Sequence, residues 1–228
     1  MKNFLVAAPF AVVGLAAMIG VSVSQTVLRP SAEASAPIEA VALETPAAQA
    51  TVYEIDPAAS EARFVIDEVL RGADFTVVGS TDQVAGQFAL DPANASTAEV
   101  GPILVNARTL ETDDSTRNRA IQNLILNTLD YEYISFTPTT LDGLPASVSV
   151  GQTYTAQLTG DLSIRGTTRQ TVFDVSVTPT SGSQLLGTAS SSINFADWGL
   201  SIPSVPFVAG VDDQVRLELD FTANAARA

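Results

Sequence analysis

Carboxylates are the only abundant reactive side chains in this chain. Its 228 residues include 25 Asp and Glu, no His, no Cys and a single Lys, Lys2. Ser-His, Cys-His and Ser-Lys nucleophile pairs each lack a member, and so does Schiff-base chemistry. The usual zinc, copper, haem and iron–sulfur sites lose their ligands as well. What remains is chemistry that two carboxyls can do, either glycosidase-like hydrolysis with the pair about 5–9 Å apart or an oxygen-ligated calcium site. Glu54, Asp67 and Glu68 are the acids near apolar strand patterns, but nothing in their spacing marks a convergent pair. Asp212-Asp213 lacks the further ligand spacing of a calcium loop and is expected to form a turn. No catalytic residue, metal or cofactor is therefore expected.

The formal charge is −14. From Thr51 onward there are 9 Arg and 22 Asp and Glu, a net of 9 − 22 = −13. Such a surface repels phosphate backbones, which argues against nucleic acid as a partner, and it disfavours anionic lipid head groups.

Three composition zones organise the chain. Residues 4–23 carry no charge. A secretory signal has an apolar core of about 7–15 residues and a spanning helix needs about 20, so this run fits an uncleaved membrane anchor slightly better than a cleaved signal. Both alternatives place the remainder outside the cytoplasm, on a periplasmic or extracellular face. Residues 29–50, rich in Ala, Pro and Glu and without an aromatic, cannot build a core and are expected to be a disordered linker. The expected division is thus 1–28 signal peptide or signal anchor, 29–50 linker and 51–224 folded domain.

From Thr51 the periodicity becomes two. Val215-Arg216-Leu217-Glu218-Leu219-Asp220-Phe221-Thr222 is the clearest alternation; 153–159 repeats it, and so does 61–67 with Val65 as the exception. Strict alternation makes half-buried antiparallel strands. Further strands are expected at 51–55, 75–78, 84–90, 102–110, 133–137, 162–164, 171–178 and 185–195, separated by turn signals such as Asp91-Pro92, Asp142-Gly143 and Arg165-Gly166. Many short strands at close spacing imply a sandwich or a barrel. One segment differs. After Asp113-Asp114-Ser115, Ile121, Leu124 and Ile125 fall at i, i+3, i+4, which predicts a short helix capped by Asp114 or Ser115. That helix can cover a barrel mouth or pack outside the sheet.

Four stretches then occur in a familiar order. Leu158-Thr159-Gly160-Asp161-Leu162-Ser163-Ile164-Arg165-Gly166-Thr167-Thr168-Arg169-Gln170 resembles the G-D-L-T-I-x-G-V-T-x-P hairpin of the YceI-like, polyisoprenoid-binding family. Tyr53-Glu54-Ile55-Asp56-Pro57 resembles its opening strand and turn. Arg117-Asn118-Arg119 with Leu124, Tyr131 and Phe136 resembles its central segment, and Asp197-Trp198-Gly199 with Val211-Asp212-Asp213-Gln214-Val215 its ending. Gln170 stands where the family usually has Pro, and Trp198 where it usually has Phe. The resemblance implies an all-β fold, an eight-stranded antiparallel lipocalin-like barrel, with an isoprenoid-type lipid in its lumen.

On that fold the apolar member of each alternating pair faces inward. The expected lumen residues are Ala62, Phe64, Ile66, Phe88, Leu90, Tyr154, Leu158, Leu162, Phe173, Val175, Leu217, Leu219 and Phe221. Alternation alone does not distinguish a lined tunnel from a solid core. A polar head would sit at a mouth, where Trp198, Tyr131, Tyr133, Arg117 and Arg119 supply amphipathic rings and guanidinium groups. The expected function is carriage or storage of an apolar lipid without catalysis. The expected partners are that lipid, the membrane if the N-terminal segment is uncleaved, and a second copy if the chain of the lipid exceeds one lumen. The competing readings are an anchored protein-interaction module and a carboxylate-dependent hydrolase.

Overall fold

A computed structural model describes residues 30–44, 46–203 and 208–226, with only the backbone at Val208 and Ala209. The apolar run at 4–23 lies outside the described residues. The strands are β1 (Thr51–Ile55), β2 (Glu61–Leu70), β3 (Ala73–Thr81), β4 (Val84–Ala85), β5 (Gln87–Leu90), β6 (Glu99–Val100), β7 (Ile103–Asn106), β8 (Tyr133–Asp142), β9 (Tyr154–Ile164), β10 (Thr167–Ser181), β11 (Gln184–Asn194), β12 (Val208–Val211) and β13 (Gln214–Ala225).

All pairings are antiparallel and the sheet curls on itself. The path runs β7–β8–β9–β10–β11–β13–β1–β5. It returns to its start because β4 and β5 are two halves of one bent strand. Val84 and Ala85 pair with Val105 and Leu104 of β7, while Gln87 to Leu90 pair with β1. Between them the Ile55 amide donates to the Gly86 carbonyl at 3.0 Å. Counting that bent strand once, the ring passes through eight segments. β2 and β3 extend it as a hairpin from the other half of β13, with Leu217 opposite Phe64 and Leu219 opposite Ala62.

Two prolines mark where the wall bends. Register shifts occur at Pro138–Thr140 in β8 and Pro179–Ser181 in β10. Proline cannot donate to a ladder, so it is tolerated where pairing is already broken, and such bulges sharpen curvature. The β9–β10 hairpin turns tightly through Arg165 and Gly166, at φ 49° and 76°, as two-residue hairpins require. The segments expected separately at 153–159 and 162–164 form one continuous strand, β9, because Gly160-Asp161 remains paired on both sides.

The connection between β7 and β8 holds the helix. The Asp114 carboxylate accepts from the Thr116 amide at 2.9 Å and the Arg117 amide at 2.7 Å, capping α1 (Ser115–Ala120). The helix widens into a π turn over Ile121–Ile125. Arg165 Nη1 donates to the Ile125 carbonyl at 3.0 Å, satisfying a group that the helix end leaves free.

Residues 30–44 and 46–50 contain no helix or strand, in keeping with their composition. They are nevertheless seated on the barrel rather than detached from it. Ser35 donates to the Glu132 carboxylate from its amide at 2.8 Å and its hydroxyl at 2.6 Å. Ile38 is buried, and the Leu43 amide donates to the Gln87 side chain at 3.1 Å. The segment cannot form a core of its own, but it can dock on one already folded.

Candidate functional site

The inward faces of the strands enclose an apolar cavity of about 800 Å³. Antiparallel topology puts four features at one end: the β2–β3 and β9–β10 turns, the stretches 195–203 and 208–213 between β11 and β13, and the segment bearing α1. Ile121, Leu124 and Ile125 line the cavity, so the helix partly covers this mouth. Of its two expected placements, this is the one the structure adopts.

The opposite end is filled. Tyr53, Leu90, Ala95, Val148, Leu185, Phe221 and Ala223 form a buried cluster there, with Phe88, Tyr154, Val177 and Leu219 against it. Tyr53 donates to the Gly182 carbonyl at 3.1 Å, and burial pushes its phenol pKa up. The Phe88 and Phe221 rings pack in a tilted pair, 39° apart, at a centroid distance of 5.3 Å. The barrel is therefore a blind tube with a greasy floor.

Large rings are kept from crossing the lumen by glycines on neighbouring strands. Gly79 is opposite Phe64, and a Cβ there would lie 2.1 Å from Phe64 Cε1. At Gly187, opposite Phe221, a Cβ would lie 2.3 Å from Phe221 Cζ. Each ring lies over bare backbone. Phe64, Phe173, Val175, Leu217 and Leu219 are only partly buried although they point inward, because they face the cavity.

Twelve of the thirteen expected lumen residues line this cavity: Ala62, Phe64, Ile66, Phe88, Leu90, Leu158, Leu162, Phe173, Val175, Leu217, Leu219 and Phe221. Tyr154 does not. It shares the inward face of β9 but lies in the floor cluster, where its hydroxyl donates to Gln152 at 2.7 Å and accepts from the Ser149 amide at 2.9 Å. It closes the tube rather than lining it.

The five expected mouth residues separate. Arg117 lines the mouth. Its guanidinium pairs with Glu68 at 3.5 Å and with Asp113, and lies 5.6 Å from the centre of the Phe75 ring. Arg119, two positions on, is outside the lining, since residues i and i+2 of a helix face different ways. Trp198 is a correction. The turn at Phe195–Trp198 folds the indole into the core, where Nε1 donates to the Leu162 carbonyl at 3.0 Å. Tyr131 lies outside the cavity, its ring over Gly166. Tyr133 is exposed on the outer face of β8, because Ile134 and Phe136 take the inward positions.

Sequence reasoning missed Glu68, Leu70 and Arg71 as parts of the mouth. The signal was present, since Ala62, Phe64 and Ile66 continue at period two to Glu68 and Leu70. Asp212 forms the expected turn, its carboxylate accepting from the Gln214 amide at 3.1 Å.

A model of the YceI-like domain matches residues 53–223. The chain belongs to the YceI-like family. Among solved structures, it is similar to a polyisoprenoid binding domain from Saccharophagus degradans implicated in plant cell wall breakdown. That match has 16% identity and a TM-score of 0.60, over 77% of this chain and 99% of that one. It is also similar to BcnA of Burkholderia cenocepacia, at 18% identity and a TM-score of 0.58, over 75% and 99% of the two chains. At these identities the likeness shows the YceI-like fold. No curated protein matches the chain.

Proposed function

We propose that this YceI-like barrel binds an apolar, isoprenoid-type lipid in its lumen, outside the cytoplasm, and performs no covalent chemistry. The observation that carries the reading is the apolar cavity of about 800 Å³ with one mouth and a filled floor. Its size is in the range of sites that enclose small ligands. A water inside would need two to four polar partners, and the largely apolar walls offer few; Glu68, Arg71, Asp114 and Arg117 border the cavity at the mouth end, while Arg63, Glu99 and Glu218 border it farther down. Each methylene-sized group buried contributes about 0.8 kcal/mol. Several isoprene units therefore supply roughly 10 kcal/mol before ordering costs. The polyisoprenoid binding named for the Saccharophagus domain supports this ligand class. The absence of His and Cys from the sequence supports a binding role over catalysis. The apolar run at residues 4–23 supports export and attachment to a membrane.

The test is extraction. Protein gently purified from its native membranes is washed with organic solvent and the extract examined by mass spectrometry, alongside titration of stripped protein with a linear polyprenol. One long apolar lipid per barrel is expected. Repeated extracts without lipid, together with no polyprenol binding, refute the proposal.

A further inference from the structure

Beyond what the barrel holds lies the question of which surface meets the membrane. The short stretch 129–133 concentrates exposed apolar side chains at the mouth end. Leu129 is 68% exposed, Tyr131 40% and Tyr133 38%, and Leu129 is the most exposed large apolar residue among those described. This exposure does not come from a frayed loop. Arg108 donates through Nε to the Thr128 carbonyl at 2.8 Å and through Nη2 to the Leu129 carbonyl at 3.0 Å. The Thr128 amide is bonded to the Gln122 carbonyl at 2.8 Å, and Thr128 is fully buried. The turn is fixed from beneath with Leu129 on its outside.

The same stretch receives the N-terminal segment. Glu132 takes both hydrogen bonds from Ser35, and Arg108 Nη1 bonds to Glu132 at 2.9 Å, to the Ser35 hydroxyl at 2.8 Å and to the Glu33 carbonyl at 3.1 Å. Ten residues separate Glu33 from the end of the apolar run at Val23. Fully extended, ten residues reach about 33–36 Å. One pair of side chains, Arg108 and Glu132, thus orders the apolar knobs and fastens the segment that leads to residues 4–23.

We propose that this rim, Leu129 with Tyr131 and Tyr133, seats in the interfacial layer of an electrically neutral bilayer, so that the barrel stands mouth-down on the membrane. Tyrosine suits that layer because its ring is apolar and its hydroxyl stays wet. The net charge of −13 from Thr51 onward selects neutral over anionic head groups. In this orientation an apolar guest passes between bilayer and lumen without crossing water. The inference rests on the membrane attachment proposed above.

The chain has no Cys, so single Leu129→Cys and Val150→Cys variants of the full chain each accept one environment-sensitive fluorophore. Val150, in the β8–β9 connection at the opposite end, is also exposed. The labelled proteins are reconstituted in phosphatidylcholine vesicles and quenched with doxyl-lipid or with aqueous iodide. At position 129, doxyl-lipid is expected to quench several-fold more than iodide, and at position 150 the order reverses. Replacing a third of the lipid with phosphatidylglycerol is expected to weaken the contact at 129. Iodide quenching at 129 equal to that at 150, in protein that floats with the vesicles, overturns the orientation while leaving attachment intact. Protein that does not float with vesicles overturns both. Self-quenching at 129 that grows with protein density shows mouth-to-mouth pairing and also overturns the proposal.

Discussion

Ala189→Phe separates a lined tube from a solid core. Ala189 lies on the inward face of β11, in register with Val175 on β10 and Leu219 on β13, and it lines the cavity. In a packed interior, inserting a ring costs about 1–3 kcal/mol because neighbours must leave their rotamers. Here the ring enters a cavity of about 800 Å³ and gains contacts, so the lipid-free variant is expected to stay within about 1 kcal/mol of the parent or exceed it. The guest loses what the protein gains. A ring in mid-lumen displaces about one isoprene unit, five carbons at about 0.8 kcal/mol each, or about 4 kcal/mol. At 1.4 kcal/mol per decade that is close to a thousandfold loss of affinity, and a chain that slides to compensate brings the loss to about a hundredfold. Urea unfolding followed by the emission of Trp198, with polyprenol titration in parallel, measures both. A variant that loses 2–3 kcal/mol of stability and binds polyprenol as before would falsify the hollow-lumen reasoning.

Three further outcomes follow from the geometry. Gly79→Ala forces the Phe64 ring off the wall and into the lumen; polyprenol binding is expected to fall at least tenfold, and Gly79→Ala with Phe64→Ala to restore it in the same titration. Burial pushes the Glu132 carboxyl up, but the hydrogen bonds from Ser35 and Asn106 and the Arg108 charge outweigh it and hold the pKa below its ordinary value. Seating of residues 30–44 is therefore complete above the ordinary carboxylate range, about 4.3, and is lost as pH falls through the lowered value. Limited proteolysis within 36–50 from pH 7 to pH 3 follows this release, and Glu132→Gln is expected to be cut readily throughout. Trp198→Phe removes the bond to the Leu162 carbonyl, and circular dichroism in urea is expected to show a loss of about 1–2 kcal/mol.

The strands were legible because period two survives wherever one face is buried. Val215 to Thr222 and Glu61 to Asp67 announce their inward sides through alternation, and twelve lumen positions follow from that parity. Tyr154 has the right parity but the wrong height, because alternation fixes which wall a residue faces and not how far along the tube it lies. Trp198 looked like a rim residue because its ring is amphipathic. Its donor found a backbone carbonyl inside the core instead, a partner contributed by a strand 36 residues away. Residues 30–50 looked detached because local composition cannot reveal that Glu132, Gln87 and Arg108 are waiting on another surface.

By itself the sequence determined the chemistry that is missing, the faces of the strands, the capped helix and the family resemblance. These are properties of residue type and of spacing along the chain, where neighbours are covalently fixed. Only the tertiary structure decided that the interior is hollow, that one end is filled by Tyr53 and its cluster while the other is roofed by Ile121 and Leu124, and that the mouth rim also seats the N-terminal segment. Those depend on which distant strands meet and on whether their side chains fill the space between them. That balance of volume against circumference exists only once the ring has closed.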